Sequence, residues 1–188
     1  TVTYAPNVAA MPVDGHASLA ELAGAMDAGQ VEVLVILGGN PVFTAPADLK
    51  FAEKLAKVGF VAYHGLYVDE TAHISHWNLP ATHALESWGD SRAFDGTVTL
   101  TQPLIAPLYE GRSLHEVLAL FTPQADRRGG QIVRDASPLD DTGVDPAAAP
   151  EDLAALIHAV VEEYGGHIVG LDDFAFTALF GGLQATED

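Results

Sequence analysis

The feature that most constrains this chain is Val31-Glu32-Val33-Leu34-Val35-Ile36-Leu37, followed at once by Gly38-Gly39-Asn40-Pro41. The run is β-branched and too apolar for a strand with one wet face. It predicts a central strand of a parallel sheet, buried on both sides. Two glycines at its exit let backbone amides approach a ligand closely, and the proline holds Asn40 extended. In open α/β sheets, ligands bind beyond the carboxyl ends of the strands. The loop is neither a Walker A sequence nor G-x-G-x-x-G. Two readings stay open: a ligand-side loop, or a tight strand exit that binds nothing.

The flanking pattern supplies the rest of an α/β unit. Ser18 opens a helix with Leu19, Leu22, Ala23 and Met26 on one face and Glu21 completing a capping box. Pro46 to Lys57 predicts a second helix, with Phe51 and Leu55 as a core pair and Glu53–Lys57 as an exposed ion pair. Phe60–His64 predicts a second strand. Strand, helix, strand in this span is a βαβ unit, with the crossover expected to be right-handed. Asp69 to Ser75 predicts a short helix capped by Asp69. Residues 76–112 read as loop, apart from a strand at Thr97–Thr101. Ser113 caps a helix through Phe121. Residues 122–150 read as a polar connection, residues 151–164 as a helix, and residues 174–179 as an apolar stretch. The whole is expected to be one α/β domain spanning residues 1–188.

Charge and composition exclude whole classes of function. Twenty-six acids against 8 Lys+Arg give a net charge of −18. Such a polyanion repels phosphate backbones and anionic lipid, which argues against nucleic-acid and membrane-surface roles. Twelve of the acids follow Arg134, the last basic residue. That stretch reads as a solvated acidic face or as a docking face for a basic partner. The chain has no cysteine, so it offers no disulfide, zinc–thiolate or iron–sulfur ligand. No apolar run of about 18 residues predicts a membrane-spanning helix. A start at Thr1 without a leader pattern suggests a domain cut from a larger polypeptide.

Few residues invite a chemical assignment. His64, His73, His76 and His83 lie near Glu70 and Glu86, and His73 and His76 are three apart. Two imidazoles and a carboxylate suit a catalytic metal. However, no H-E-x-x-H occurs, and the helix ends before His76, so these are expected to be hydrogen-bonded loop histidines. Ser75, Ser87, Ser91 and Ser113 lack a nucleophile-elbow context. Glu70, Glu86, Asp90 and Asp95 carry little signal in so acidic a chain. No catalytic residue and no metal ligand is assigned.

The order of motifs from Val33 to Phe121 is more specific. After Gly38-Gly39-Asn40-Pro41 come Leu66-Tyr67-Val68-Asp69-Glu70-Thr71-Ala72 and Asn78-Leu79-Pro80-Ala81. Then follow Leu85-Glu86-Ser87-Trp88-Gly89-Asp90, Asp95-Gly96-Thr97-Val98 and Gln102-Pro103-Leu104-Ile105-Ala106-Pro107-Leu108-Tyr109. This order resembles the molybdopterin-guanine-dinucleotide oxidoreductase superfamily. Its nearest likeness is to the molybdopterin-like, iron–sulfur B subunit of the bacterial quinol-oxidising alternative complex III. The resemblance implies a Rossmann-like, three-layer fold with a mostly parallel sheet and helices on both faces.

In working members of that superfamily the strand-end loops cradle the guanine dinucleotide. Carried over by position, the cofactor-side residues would be Gly38, Gly39, Asn40, Pro41, Gly65, Leu66 and Asp69. The sequence departs from the family pattern at this end. His64-Gly65 replaces the usual Q-D, and Asp69-Glu70-Thr71 replaces T-E-T. The resemblance thus implies a domain without cofactor, serving structure and docking among other domains and subunits of a respiratory electron-transfer complex. Its place would be the periplasmic face of the cytoplasmic membrane, peripheral and not inserted. The alternative is one wall of a functional molybdopterin guanine dinucleotide site. A third reading is a stand-alone nucleotide-binding domain using the same loop.

Overall fold

The computed structural model describes residues 2, 4, 14–123, 125–136, 167–171 and 175–180. They belong to two compact units, one from Val13–Ala81 with His158–Asp188, the other from Thr1–Pro12 with Thr82–Ile157.

The first unit is built on the apolar run. Strand β1, Val33–Leu37, pairs in parallel with β2, Phe60–Gly65, so that Val33 lies opposite Phe60 and Leu37 opposite His64. Strand β3, Trp77–Pro80, continues the parallel order beyond β2. On its other side β1 pairs antiparallel with Ala175–Phe180, and that strand pairs antiparallel with His167–Leu171. In chain order these last two are β7 and β6, so the sheet runs β3-β2-β1-β7-β6. The expected α/β fold is therefore present, with β1 central and β1, β2 and β3 parallel, while the two strands on the other side of β1 join antiparallel and make the sheet mixed. The antiparallel neighbour of β1 falls on the apolar stretch read over residues 174–179.

Alternate residues of the paired strands share one core. Leu34 and Ile36 of β1 and Val61 and Tyr63 of β2 pack with Leu19, Leu22, Ala23 and Met26 of helix α1, Gly15–Asp27. Each fully buried aliphatic side chain contributes about 1.5–3 kcal/mol relative to exposure. The alternate residues Val35, Leu37, Ala62 and His64 are buried as well, so these strands have no wet face.

Several local expectations are corrected. Helix α1 begins at Gly15, not Ser18, because Asp14 is a competent cap whose Oδ1 accepts from Ala17 N at 3.1 Å. The second helix is divided into α2 (Pro41–Thr44), a 3-10 turn (Ala47–Leu49) and α3 (Phe51–Leu55). Pro46 forces Ala45 into an extended conformation, and Lys50 adopts a left-handed one with φ 48°. Phe51 and Leu55 are buried together as expected. Lys57 does not pair with Glu53: it reaches Asp27 at 2.5 Å, while Glu53 approaches Lys50 at 3.8 Å. Helix α4, Glu70–Ile74, is capped by Asp69 as the sequence indicates. Strand β3 lies in the stretch expected to be loop: it is a four-residue, mostly exposed edge strand, and its Pro80 is tolerable only at an edge.

In the second unit, β4 (Gly89–Arg92) and β5 (Val98–Thr101) form a hairpin around Asp95-Gly96, with Gly96 at φ 88°. Helix α5, Leu114–Ala119, opens on a capping box between Ser113 and Glu116. Within the stretch expected to be a polar connection lies α6, Gly129–Ala136. Glu116 Oε1 also accepts from Gly129 N at 3.1 Å, so one carboxylate anchors the start of both helices. The helix expected over residues 151–164 lies outside the described residues.

Candidate functional site

The β1 exit and the β2–α4 connection meet at the carboxyl end of the parallel strands. Gly38 and Gly39 both have positive φ, 72° and 66°, which explains two glycines in succession. Gly38 N donates to His64 O at 2.8 Å, tying the turn to the end of β2. Pro41 then occupies the first turn of α2 and is buried.

Asn40 is the hub. Its Nδ2 donates to Glu70 Oε2 at 2.7 Å, and its Oδ1 accepts from Thr71 Oγ1 at 2.7 Å. An acceptor-only carboxylate on one side fixes the orientation of the amide. Thr71 is fully buried, and its Oγ1 also accepts from Val42 N at 3.2 Å. The bond from Asn40 holds the Glu70 carboxyl below the usual carboxylate range.

Tyr63 closes the other half. Its hydroxyl donates toward Gly39 O and Asp69 Oδ2, each at 2.7 Å. The second oxygen of Asp69 accepts from Ala72 N at 3.0 Å, the helix cap. Burial first, then the bond and charge of Asp69, push ionisation of the Tyr63 hydroxyl well above the ordinary tyrosine value. Gly65 is a glycine because of this ring: a Cβ there would lie 2.3 Å from Tyr63 carbons. Leu66 is partly exposed beyond it, followed by exposed Tyr67 and Val68.

The carried-over residues are thus brought together, but the side chains of Asn40 and Asp69 are bonded within the chain. Sequence reasoning missed Tyr63 and Thr71. The available signal for Tyr63 was its place two residues before Gly65, on the same face of a strand. The histidines do not assemble into a metal site. His76 Nδ1 accepts from Val61 N, His83 Nδ1 accepts from Leu85 N, and His73 Nδ1 contacts Asp69 O. No group of three or more potential ligands occurs among the described residues.

A family model described as molybdopterin oxidoreductase matches residues 4–121. The chain belongs to the molybdopterin oxidoreductase family. It is also 26% identical over 160 residues to subunit alpha of an NADPH-Fe(3+) oxidoreductase from two strains of Geobacter sulfurreducens. That match takes in 84% of this chain and 18% of the relative, so the chain spans under a fifth of the relative's length.

Does this molybdopterin-family loop suit a dinucleotide? A pyrophosphate wants cations or free amides. Between Lys57 and Arg92 the sequence has no lysine or arginine, and the carboxylates of Glu70 and Asp69 are bonded to Asn40 and to the Tyr63 hydroxyl that holds the loop. Like charges about 5 Å apart cost about 1 kcal/mol in water and about 3 at an effective dielectric of about 20. The Tyr63 ring also occupies the space over Gly65. These residues do not fit the pyrophosphate of a guanine dinucleotide.

Proposed function

We propose that this chain is a cofactor-free structural and docking domain of an oxidoreductase subunit, belonging to a quinol-oxidising respiratory electron-transfer complex. The family membership supports the oxidoreductase context. The observation that carries the reading is the clasp: Tyr63, Asn40 and Thr71 lock the strand-end loop to the start of α4. A ligand-side loop is converted into an internal joint. With no cysteine in the chain, thiolate-held clusters would lie on other domains, and electrons would pass there. The complex would sit at the periplasmic face of the cytoplasmic membrane. Among the described residues no helix is long and apolar enough to cross a membrane, which suits a peripheral role.

The test is molybdenum and pterin analysis of the intact subunit. Neither should be found in proportion to protein; stoichiometric amounts of either would overturn the proposal. The competing reading, one wall of a working dinucleotide site, draws on the two consecutive positive-φ glycines. It requires GDP or GTP at millimolar concentration to raise the melting temperature, since a ligand that binds only the folded state stabilises by mass action.

A further inference from the structure

The motif Gln102-Pro103-Leu104-Ile105-Ala106-Pro107-Leu108-Tyr109 has no part in the clasp. It follows β5 and runs as a strap along the segment before β4. Leu104 N and Ile105 N both donate to Leu85 O, at 2.8 and 3.1 Å, and Leu108 N donates to Glu86 Oε1 at 3.4 Å. Glu86 is itself fixed, since Oε2 accepts from His83 N at 3.0 Å. Pro103 and Pro107 remove two donors and hold the residues before them extended. The backbone is therefore held in place while the side chains point away from any core. Leu104 is 76% exposed, Leu108 67% and Tyr109 80%, with Leu85 and Ile105 each at 47%.

Polar satisfaction of the backbone and exposure of nearly every large side chain are opposite signs for a loop in water. Single exposed leucines are ordinary, but clustered ones mark an interaction surface. Lipid is a poor partner: Glu86, Asp90 and Glu110 flank the apolar residues, and the whole chain carries −18. An apolar protein surface fits. In the Geobacter relatives the matched region is part of a chain more than five times as long as the match, so a covalently joined polypeptide is the nearest candidate for such a surface.

We infer that residues 103–109 form a docking strap that seats against the remainder of the oxidoreductase polypeptide, with Leu104, Leu108 and Tyr109 as its anchors. The inference rests on the docking role proposed above and not on the absence of a pterin.

Hydroxyl-radical footprinting of the intact subunit and of this chain alone tests it. Tyr109 and Leu108 should be oxidised at least fivefold more slowly in the intact subunit. Equal labelling in both overturns the inference, as does protection of the chain alone by self-association or by anionic vesicles. In trans, the variant combining Leu104→Asp and Leu108→Asp should lower association of the chain with the remaining polypeptide at least tenfold. Its own melting temperature should shift by no more than about 2 °C, because exposed side chains add little to stability. Unchanged association overturns the inference. If the variant fails to fold, the footprint of the unsubstituted protein decides. Pterin content measured on the same preparation separates the two claims. Protected anchors with bound pterin overturn the cofactor-free reading alone, and labelled anchors without pterin overturn the strap alone.

Discussion

Tyr63→Phe is the sharpest probe of the clasp. The substitution removes one oxygen and leaves the ring, so the packing over Gly65 persists and no cavity opens. What is lost is the hydroxyl that donates toward Gly39 O and Asp69 Oδ2, both at 2.7 Å. Hydrogen bonds to charged partners contribute about 1.5–3 kcal/mol, while the exposed Gly39 carbonyl and the half-buried Asp69 can turn to water once the hydroxyl is gone. Asp69 keeps its bond from Ala72 N, which limits the damage. A loss of about 2 kcal/mol is expected. With a urea dependence of about 2 kcal/mol/M for a chain of this size, the midpoint should fall by about 1 M at an unchanged slope.

The same bond has a pH signature. Because the pKa of Tyr63 in the fold lies above its unfolded value near 10, its contribution is complete below pH 10 and is lost as pH rises further. The gap between wild type and Tyr63→Phe should therefore stay constant from pH 6 to 9 and narrow above 10. Urea titrations at pH 7, 9 and 10.5 measure this directly. A variant as stable as wild type at pH 7, or a gap indifferent to pH above 10, would refute the reasoning.

Two further substitutions test neighbouring parts of the clasp. Gly65→Ala places a methyl group against the Tyr63 ring and should cost about 1–3 kcal/mol; combined with Tyr63→Ala that cost should largely vanish, a coupling read from a double-mutant cycle in urea. Asn40→Asp sets a second carboxylate beside Glu70, where the amide now donates at 2.7 Å. The folded pair should then bind protons more tightly than the unfolded chain. The deficit in melting temperature relative to wild type should thus grow as pH rises from 4 to 7.

Much of the fold was legible because it is written locally. A continuous β-branched run reports a strand covered on both faces, and β1 is that strand. Apolar spacing gave the buried face of α1, although Asp14 displaced Ser18 as its cap. Asp69 acts three residues ahead on Ala72 N, within reach of any sequence reading. The β4–β5 hairpin had a signal in Asp95-Gly96, a pair suited to a turn that needs positive φ. Strand β3 had little, since Trp77 and Leu79 alternating with Asn78 and Pro80 make too short a pattern to stand out beside a proline.

By itself, then, the sequence determined the central βαβ unit, the apolar faces of its strands and of α1, the caps of α4 and α5 and the family. These follow from interactions that span three or four residues or from motifs kept in order. Tertiary structure alone decided what the strand-end loop does. Asn40 finds partners 30 and 31 residues away, and the Tyr63 hydroxyl reaches back 24 residues to Gly39. Those contacts exist only because β1 and β2 run parallel with Leu37 opposite His64, which brings two exits to one edge. Register is a property of the assembled sheet, and no local propensity encodes it. It turned Gly38-Gly39-Asn40-Pro41 from a loop that could face a ligand into one that holds the chain to itself.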